Sequence, residues 1–212
     1  RYHEHYHDRI STAPSQHQGD GIASAHDIVR FKHPVSPEDI IPDPLPRSLF
    51  LDSLDGQSLG DYRADVTPLC FSRPGLAKSY ALLEDGIELR WHCQGQAGRR
   101  FATRLNLAMP SCDGFLGRFV LADGRVPCGF GQPLALDDCS GLSLDDGVLG
   151  GALRLSACPG ARLDARPHHT VSQSEAGFEK IMQAVELTFS WTIPADDCTL
   201  TLQLHIEPAA RA

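Results

Sequence analysis

Apolar and polar residues alternate along several stretches of the chain, which is the pattern of strands with one buried face. The period of two is clearest at positions 87–93, 185–193 and 200–206. Asp-Gly pairs, which favour the tight turns of β-hairpins, begin at positions 85, 123 and 146. Many strands joined by reversals, with little helical periodicity, predict an all-β chain folded as a sandwich or a barrel.

Three segments depart from this pattern. Residues 1–27 are mostly polar and lack a clear period, which predicts the tail of a helix followed by a linker. Five prolines fall between positions 34 and 46, and because proline disrupts helices and central strands, they predict an extended segment. The third segment is ambiguous: Ser172-x-x-Glu175 has the form of a capping box and positions 178–182 have helical spacing, so periodicity supports a short helix there as well as a strand.

Composition and charge exclude several classes of partner. The chain has 212 residues, of which 42% are hydrophobic, enough for a substantial core. Asp and Glu outnumber Lys and Arg by 27 to 19, giving a formal net charge of −8. Such a chain lacks the positive field that nucleic acid or an anionic membrane surface requires. No apolar run approaches the roughly 18 residues of a transmembrane helix, so we expect neither nucleic acid nor membrane as a partner.

The cysteines indicate a reducing environment. Their number is seven, which is odd, and the sequence has no C-x-x-C pair, so the pattern predicts neither a disulfide framework nor a zinc site. Free thiols in a cytoplasmic protein are the simplest account. We predict no bound metal and no cofactor. Because the first residue is Arg1 rather than methionine, we also expect a processed chain or a piece of a longer one.

Residues able to perform chemistry are few, and each has a structural alternative. Adjacent carboxylates, at 84–85, 137–138, 145–146 and 196–197, mostly fall at predicted turns, where Asp serves the backbone. His168 and His169 could form an acid–base site with Glu175 or Glu179, or they could cap a strand. Trp91 could be a stacking platform for a sugar, but it continues the apolar phase of its strand, which favours core packing.

One stretch carries a family resemblance. Residues 170–179, Thr-Val-Ser-Gln-Ser-Glu-Ala-Gly-Phe-Glu, with Gln183 after them, resemble the T-V-S-Q-S-E-x-G-F-E…Q signature of the C-terminal domain of alpha-amylases and 4-alpha-glucanotransferases of glycoside hydrolase family 57. Two more segments match in order: Ile28–Lys32 with Pro46–Asp52 resembles the opening of that domain, and Phe101–Ala108 resembles its central strand. The matches together span about residues 28–193.

The resemblance implies a fold and a role. It implies a large antiparallel β-sandwich of the galactose mutarotase-like supersandwich type over residues 28–212, preceded by the helical tail and linker of residues 1–27. It also implies that residues 170–180 are a strand end and a loop before a strand at 184–193. The catalytic barrel of the family lies outside this chain, so we expect no catalytic residue here and a domain that supports that barrel in an alpha-glucan-processing enzyme. The barrel is the expected partner, with an alpha-glucan or maltooligosaccharide and a homodimer as further candidates.

Seven polar or aromatic residues in or near the matched segments are the candidates for carbohydrate binding. They are Trp91, Asn106, His168, Gln173, Glu175, Glu179 and Gln183. Two departures from the family pattern weaken that surface: Arg104 stands where the family has an acidic residue, and Met182-Gln183-Ala184 replaces Y-Q-G. Two alternatives therefore stay open. One is a purely structural or dimerising module, and the other is a free-standing mutarotase-like enzyme using His168, His169 and Glu175.

Overall fold

The computed structural model describes residues 35–43, 46–112, 116–174 and 177–208. The chain divides into two compact units. One comprises Arg1–Arg47 with His168–Gln183, and the other comprises Ser48–Pro167 with Ala184–Ala212. Within the described ranges, no helix has both the length and the apolar character needed to cross a membrane.

Strands make up most of the regular structure of the described residues. They are β1 (Leu51–Leu54), β2 (Gln57–Ser58), β3 (Arg63–Ala64), β4 (Cys70–Arg73), β5 (Leu76–Leu82), β6 (Gly86–Gln94), β7 (Arg100–Leu107), β8 (Gly117–Leu121), β9 (Leu134–Asp146), β10 (Gly151–Ser174), β11 (Gly177–Thr192) and β12 (Asp197–Pro208). The stretches predicted from alternation are β6, β11 and β12, and the predicted central strand is β7. All four predictions are confirmed.

The strands form one antiparallel sheet, in which the order of the strands differs from their order along the chain. Its order is β2-β1-β7-β11-β10-β12-β6-β5-β4-β3, with β9 also pairing with β10 and β8 pairing with β9. The β12 strand joins segments distant in sequence, since Leu202 lies opposite Leu89 of β6 on one side and Ala157 of β10 on the other. Apolar residues of these strands therefore fall in register on one face of the sheet.

The larger unit packs this apolar face against itself. Three strands separate β6 from β7 in the sheet order, so a flat sheet would hold them about 19 Å apart. The ring centroids of Trp91 in β6 and Phe101 in β7 are nevertheless 5.4 Å apart, and those of Trp91 and Trp191 in β11 are 6.1 Å apart. The sheet thus curls until its inner surfaces meet in two layers. The predicted all-β antiparallel sandwich is confirmed.

Asp-Gly pairs lie at the predicted reversals. After the turn between β5 and β6, a side chain at Gly86 would place its Cβ only 1.9 Å from the Leu204 carbonyl oxygen of β12, so the close approach of β12 requires glycine at this position. Between β9 and β10 the buried Asp146 carboxylate accepts hydrogen bonds from Ser111 N and Oγ at 2.9 and 2.5 Å, and from the backbone of Val148 and Leu149 at 3.0 and 2.9 Å. Burial alone raises the pKa of Asp146, but these hydrogen bonds outweigh burial and hold it below its ordinary value.

We therefore predict that Asp146 contributes to acid sensitivity. A carboxylate with a lowered folded-state pKa stabilises the fold above the unfolded pKa of about 3.9 and loses this contribution as the pH falls through the folded value. Asp146→Asn should lower the free energy of unfolding at pH 7 by about 1–3 kcal/mol and flatten its decline below about pH 4. Urea unfolding of both proteins between pH 7 and pH 3 checks this. Parallel pH profiles for the two proteins would contradict it.

The proline-rich segment contains one feature that differs from the extended structure expected. Pro37–Ile40 form a single turn of 3₁₀ helix, with Pro37 at its first position, where proline is tolerated. The Asp39 carboxylate accepts a hydrogen bond from the Ser36 backbone at 2.9 Å and forms an ion pair with Lys180. Residues 1–34 lie outside the described residues, so the helical tail and linker stay predictions.

The ambiguous segment is strand on both sides of residues 175–176. The β10 strand runs to Ser174 and β11 begins at Gly177, so the helix suggested by periodicity is wrong. The β11 strand also begins seven residues earlier than the resemblance implied, at 177 rather than 184. Met182 and Ala184 are buried and Gln183 between them is exposed, which is the period of a strand.

Candidate functional site

Trp91 lies in the core of the larger unit. Its relative exposure is 0%, and its ring packs against Phe101 and Trp191. The indole N–H donates a hydrogen bond to Asp52 Oδ2 at 3.0 Å. The side chain therefore offers no surface on which a sugar could stack, and its position agrees with the core packing that its apolar phase favours.

Asn106 lies on the opposite, outer face of the sheet. It stands directly across from Glu186 of β11 in the strand register. Arg104, two positions away in β7, places Nη1 3.9 Å from Glu186 Oε2. The arginine that departs from the family pattern has thus found an acidic partner on the next strand. Asn106 Oδ1 is buried and accepts no hydrogen bond, so this polar atom is available to a donor.

The remaining candidates belong to the smaller unit. His168 is half-buried in β10, and Gln183 is exposed in β11. The side chains of Gln173, Glu175 and Glu179 lie outside the described residues, so the acid–base site with His168 and His169 stays a hypothesis. Trp91 and Asn106 do not share a site, because one points into the core and the other away from it.

A buried ion pair near Trp91 was not expected from the sequence. Asp52 in β1 is 3% exposed and Lys78 in β5 is 5% exposed, and Lys78 Nζ lies 2.9 Å from Asp52 Oδ2. Asp52 also accepts hydrogen bonds from Tyr62 Oη at 2.9 Å and from Thr103 Oγ1 at 2.8 Å. The carboxylate therefore links residues of β1, β5, β6 and β7, the strands that face each other across the two layers.

Aromatic rings surround the ammonium group of this pair. Lys78 Nζ lies 5.3–5.8 Å from the ring centroids of Phe50, Tyr62, Tyr80 and Trp91, and it donates a hydrogen bond to the Phe50 carbonyl at 3.0 Å. Burial, followed by the adjacent Asp52 carboxylate, raises the pKa of Tyr62 above its ordinary value. Asp52 and Lys78 are almost fully buried, so a reactant could hardly reach them. The pair therefore suits a structural role rather than acid–base chemistry, and we call Asp52 and Lys78 the clamp.

An apolar cavity of about 370 Å³ lies beside the clamp. Its lining includes Tyr62, Phe71 and Tyr80, together with Leu69 and Leu82, whose side chains are 47% and 74% exposed. The rings of Phe71 and Tyr80 meet edge to face, with centroids 5.9 Å apart. This aromatic lining is mostly apolar and offers few hydrogen-bonding groups.

The outer face of the sheet carries a groove of about 560 Å³ across the four neighbouring strands β8, β9, β10 and β12, to which β8 contributes the apolar residues Val120 and Leu121. Side chains at every second position line it: Ser143 and Asp145 of β9, Arg154 and Ser156 of β10, and Gln203 and His205 of β12. The register places Arg154 opposite both Ser143 and His205, and Ser156 opposite Gln203. The same alternation that buries leucines on the inner face therefore assembles polar side chains on the outer face.

Hydrogen bonds fix the polar side chains of this groove. The Arg154 Nε to Glu207 Oε2 distance is 2.6 Å, and the His205 Nδ1 to Asp85 Oδ1 distance is 3.0 Å. Gln203 Nε2 donates to Glu88 Oε2 at 2.6 Å. The hydrogen bond with His205 lowers the pKa of Asp85, and that from Gln203 lowers the pKa of Glu88. The groove thus presents ionised carboxylates beside fixed donors.

The described residues contain no obvious centre for metal or thiol chemistry. No group of three or more His, Cys, Asp or Glu side chains among them could hold a metal ion. Six of the cysteines are free thiols: Cys70, Cys93, Cys128, Cys139, Cys158 and Cys198. Burial, with a contribution from the neighbouring Cys198, raises the pKa of Cys93 to about 12. Such a thiol is protonated at neutral pH and therefore inert as a nucleophile.

Sequence reasoning used the polar positions of β12 only as evidence of alternation and missed the groove. One local signal was present: Gly141 stands inside the predicted β-rich region without an Asp or Asn beside it, and a glycine within a strand often marks a close approach. The pairing of β12 with β10, which puts the polar rows side by side, was not visible in the sequence.

Comparison with known proteins gives a family match over nearly the whole chain. Residues 1–61 and 60–206 match the family described as Alpha-amylase/4-alpha-glucanotransferase, C-terminal. No curated protein matches the chain.

Solved structures are similar at low sequence identity. A 4-alpha-glucanotransferase from Thermococcus litoralis matches with a TM-score of 0.55 and 18% identity, over 80% of this chain and 28% of that one. The heparan sulfate lyase HepC from Pedobacter heparinus matches with a TM-score of 0.43 and 11% identity, over 76% of this chain and 24% of that one. The first similarity supports the fold, and the chain spans just over a quarter of the glucanotransferase.

Proposed function

We propose that this chain, which belongs to the alpha-amylase/4-alpha-glucanotransferase C-terminal family, is a non-catalytic domain of an alpha-glucan-processing polypeptide. The observation that carries the proposal is the family match over residues 1–61 and 60–206. The parent would be a glycoside hydrolase or glucanotransferase of family 57 in the cytoplasm. Residues 28–212 would form the domain, and residues 1–27 would be the helical tail and linker that join it to a catalytic barrel.

The arrangement of the charged groups favours a structural role for this domain over a catalytic one. The Asp52–Lys78 pair is buried, and the carboxylates of the outer groove are engaged by arginine, histidine or serine side chains. Glycosidic catalysis needs one carboxyl group with a raised pKa beside an ionised one. Among the described residues, the carboxyl groups with a clear shift all have a lowered pKa.

We expect the isolated chain to show neither hydrolysis nor transfer. Incubated with maltoheptaose, it should leave the oligosaccharide length distribution unchanged, because the barrel carries the reacting carboxylates in this proposal. Chromatography of the products over time checks this, with heat-denatured chain as the blank. New shorter or longer maltooligosaccharides above that blank would overturn the proposal. Activity of a His168→Ala variant would then be measured to test the alternative of a free-standing enzyme.

A structural or dimerising module is the second candidate. The apolar cavity beside Tyr62 and Tyr80, with Leu82 74% exposed at its edge, favours it. The two candidates differ in their relation to carbohydrate: the first allows a specific contact with alpha-glucan, and the second involves none.

A further inference from the structure

The polar groove over β9, β10 and β12 is the strongest unassigned feature of the larger unit. We propose that it binds a neutral oligosaccharide, an alpha-1,4-linked glucan chain. The groove lies apart from Asn106, Arg104 and Glu186, and it contains none of the seven residues that the sequence proposed for carbohydrate binding. Its volume of about 560 Å³ falls within the range of about 300–1,000 Å³ that small-molecule sites occupy. The choice of an alpha-glucan rests on the proposed function; the choice of a neutral carbohydrate rests on the groove itself.

Both kinds of hydrogen-bonding group line the groove, as a polyhydroxylated ligand requires. Each sugar hydroxyl donates one hydrogen bond and accepts others, so a sugar site needs acceptors and donors side by side. Asp145 and Glu207 supply acceptors, as does Ser156 Oγ, which donates its own proton to Gln203 Oε1, and Arg154 and Gln203 supply N–H donors. Their mutual hydrogen bonds hold several of these groups in place before any ligand arrives. Such preorganisation reduces the entropy lost on binding.

The charge of the groove excludes anionic ligands. Three carboxylates, Asp85, Asp145 and Glu207, face a single arginine, Arg154, and one histidine, His205. Phosphorylated or sulfated ligands would meet a surplus of negative charge here, and the whole chain repels them with a net charge of −8. A neutral ligand is not repelled by these carboxylates and can donate hydrogen bonds to them.

Gly141 is an independent observation that points to a ligand. It stands within β9 opposite Ser156 and lines the groove. The backbone does not require glycine there, since its φ is outside the positive range, and a Cβ would lie 3.8 Å from the Ala122 Cβ, an ordinary contact. Glycine weakens the interior of a strand. Because Gly141 has no side chain, the floor of the groove stays open at this position.

The test is a titration of the 212-residue chain with maltoheptaose, followed by backbone amide NMR shifts, with cellohexaose as the linkage control. Gly141→Ile places a branched side chain in the groove, and Gly60→Ile is the control, because a Cβ at Gly60 would meet no atom within 4 Å and Gly60 lies outside the groove. We expect binding to weaken at least about tenfold in Gly141→Ile and to stay within about twofold in Gly60→Ile. Circular dichroism of both variants verifies folding.

A second pair of variants tests the polar side chains. Arg154→Ala removes a groove arginine paired with Glu207, whereas Arg162→Ala removes an arginine of the same strand paired with Asp164, outside the groove. Only Arg154→Ala should weaken binding of maltoheptaose, by about threefold to tenfold.

The possible results of these titrations test the groove and the choice of ligand separately. Loss of binding in Gly141→Ile alone supports the groove. Equal binding by both glycine variants, or no binding by the wild type at millimolar maltoheptaose, overturns the groove, whereas the proposed function is judged by the product assay. Equal affinity for cellohexaose overturns the assignment to alpha-glucan.

Discussion

Replacing Asp52 by asparagine is expected to lower the free energy of unfolding by about 3–5 kcal/mol, the range for breaking a buried ion pair. The carboxylate lies 2.9 Å from Lys78 Nζ, and both side chains are almost fully buried. Without the negative charge, the Lys78 ammonium group stays in a site closed by aromatic rings and has no counter-charge. The neighbouring rings lie 5.3–5.8 Å from it and offset only part of that loss.

Urea unfolding at pH 7 measures the effect, and Asp137→Asn is the matched control. Asp137 is also paired with an arginine, but its side chain is 91% exposed, so its replacement should change stability by less than about 1 kcal/mol. The double variant Asp52→Asn with Lys78→Met should lose less free energy of unfolding than the sum of the losses in the two single variants, because it leaves no unpaired charge in the core. A loss below about 1 kcal/mol in Asp52→Asn, or strict additivity in the double variant, would contradict the clamp.

Replacing Trp91 by alanine is expected to lower the free energy of unfolding by about 3–5 kcal/mol, as for other large aromatic side chains in cores. The ring contacts Phe101 and Trp191 at centroid distances of 5.4 and 6.1 Å, so its removal leaves a cavity where the two layers meet. It also removes the donor at 3.0 Å from Asp52 Oδ2. The substitution therefore damages packing and the ion pair together.

Trp91→Phe separates these two losses. Phenylalanine retains most of the apolar contact and loses only the N–H group, so the cost should be nearer 1–2 kcal/mol, roughly that of one hydrogen bond to a charged group and some volume. Near-UV circular dichroism and urea unfolding follow both variants. If Trp91→Ala were as stable as the wild type, the tryptophan would not lie in the core. For the same reason, weaker sugar binding by Trp91→Ala would not demonstrate a stacking contact, and Gly141→Ile is the better probe.

Local sequence was sufficient where one rule of strand geometry acted alone. The alternation at 87–93 predicted β6, because each inward residue from Ile87 to Cys93 is separated from the next by a residue of the other face. The glycine of Asp85-Gly86 predicted the turn before that strand, and the close approach of the Leu204 carbonyl explains why glycine is needed.

Local sequence was insufficient where two rules competed. A capping-box pattern and helical spacing supported a short helix between residues 172 and 182 as well as a strand, and the described residues of that range lie in β10 and β11. Helix propensity over one or two turns is worth little unless a packed face stabilises it. The strands β10 and β11, which contain these residues, are neighbours in the sheet, and strand pairing outweighed helix propensity here.

The sequence by itself determined the fold class, the positions of the main strands and turns, and membership of the family through an ordered set of matches. Only the tertiary structure decided which residues meet: Asp52 with Trp91, 39 positions apart, and the polar rows of β9, β10 and β12 that form the groove. The physical reason is that a period of two specifies which face of a strand is buried but not which strands become neighbours. Those neighbours follow from the packing of the whole sheet, and with them follow the clamp and the groove.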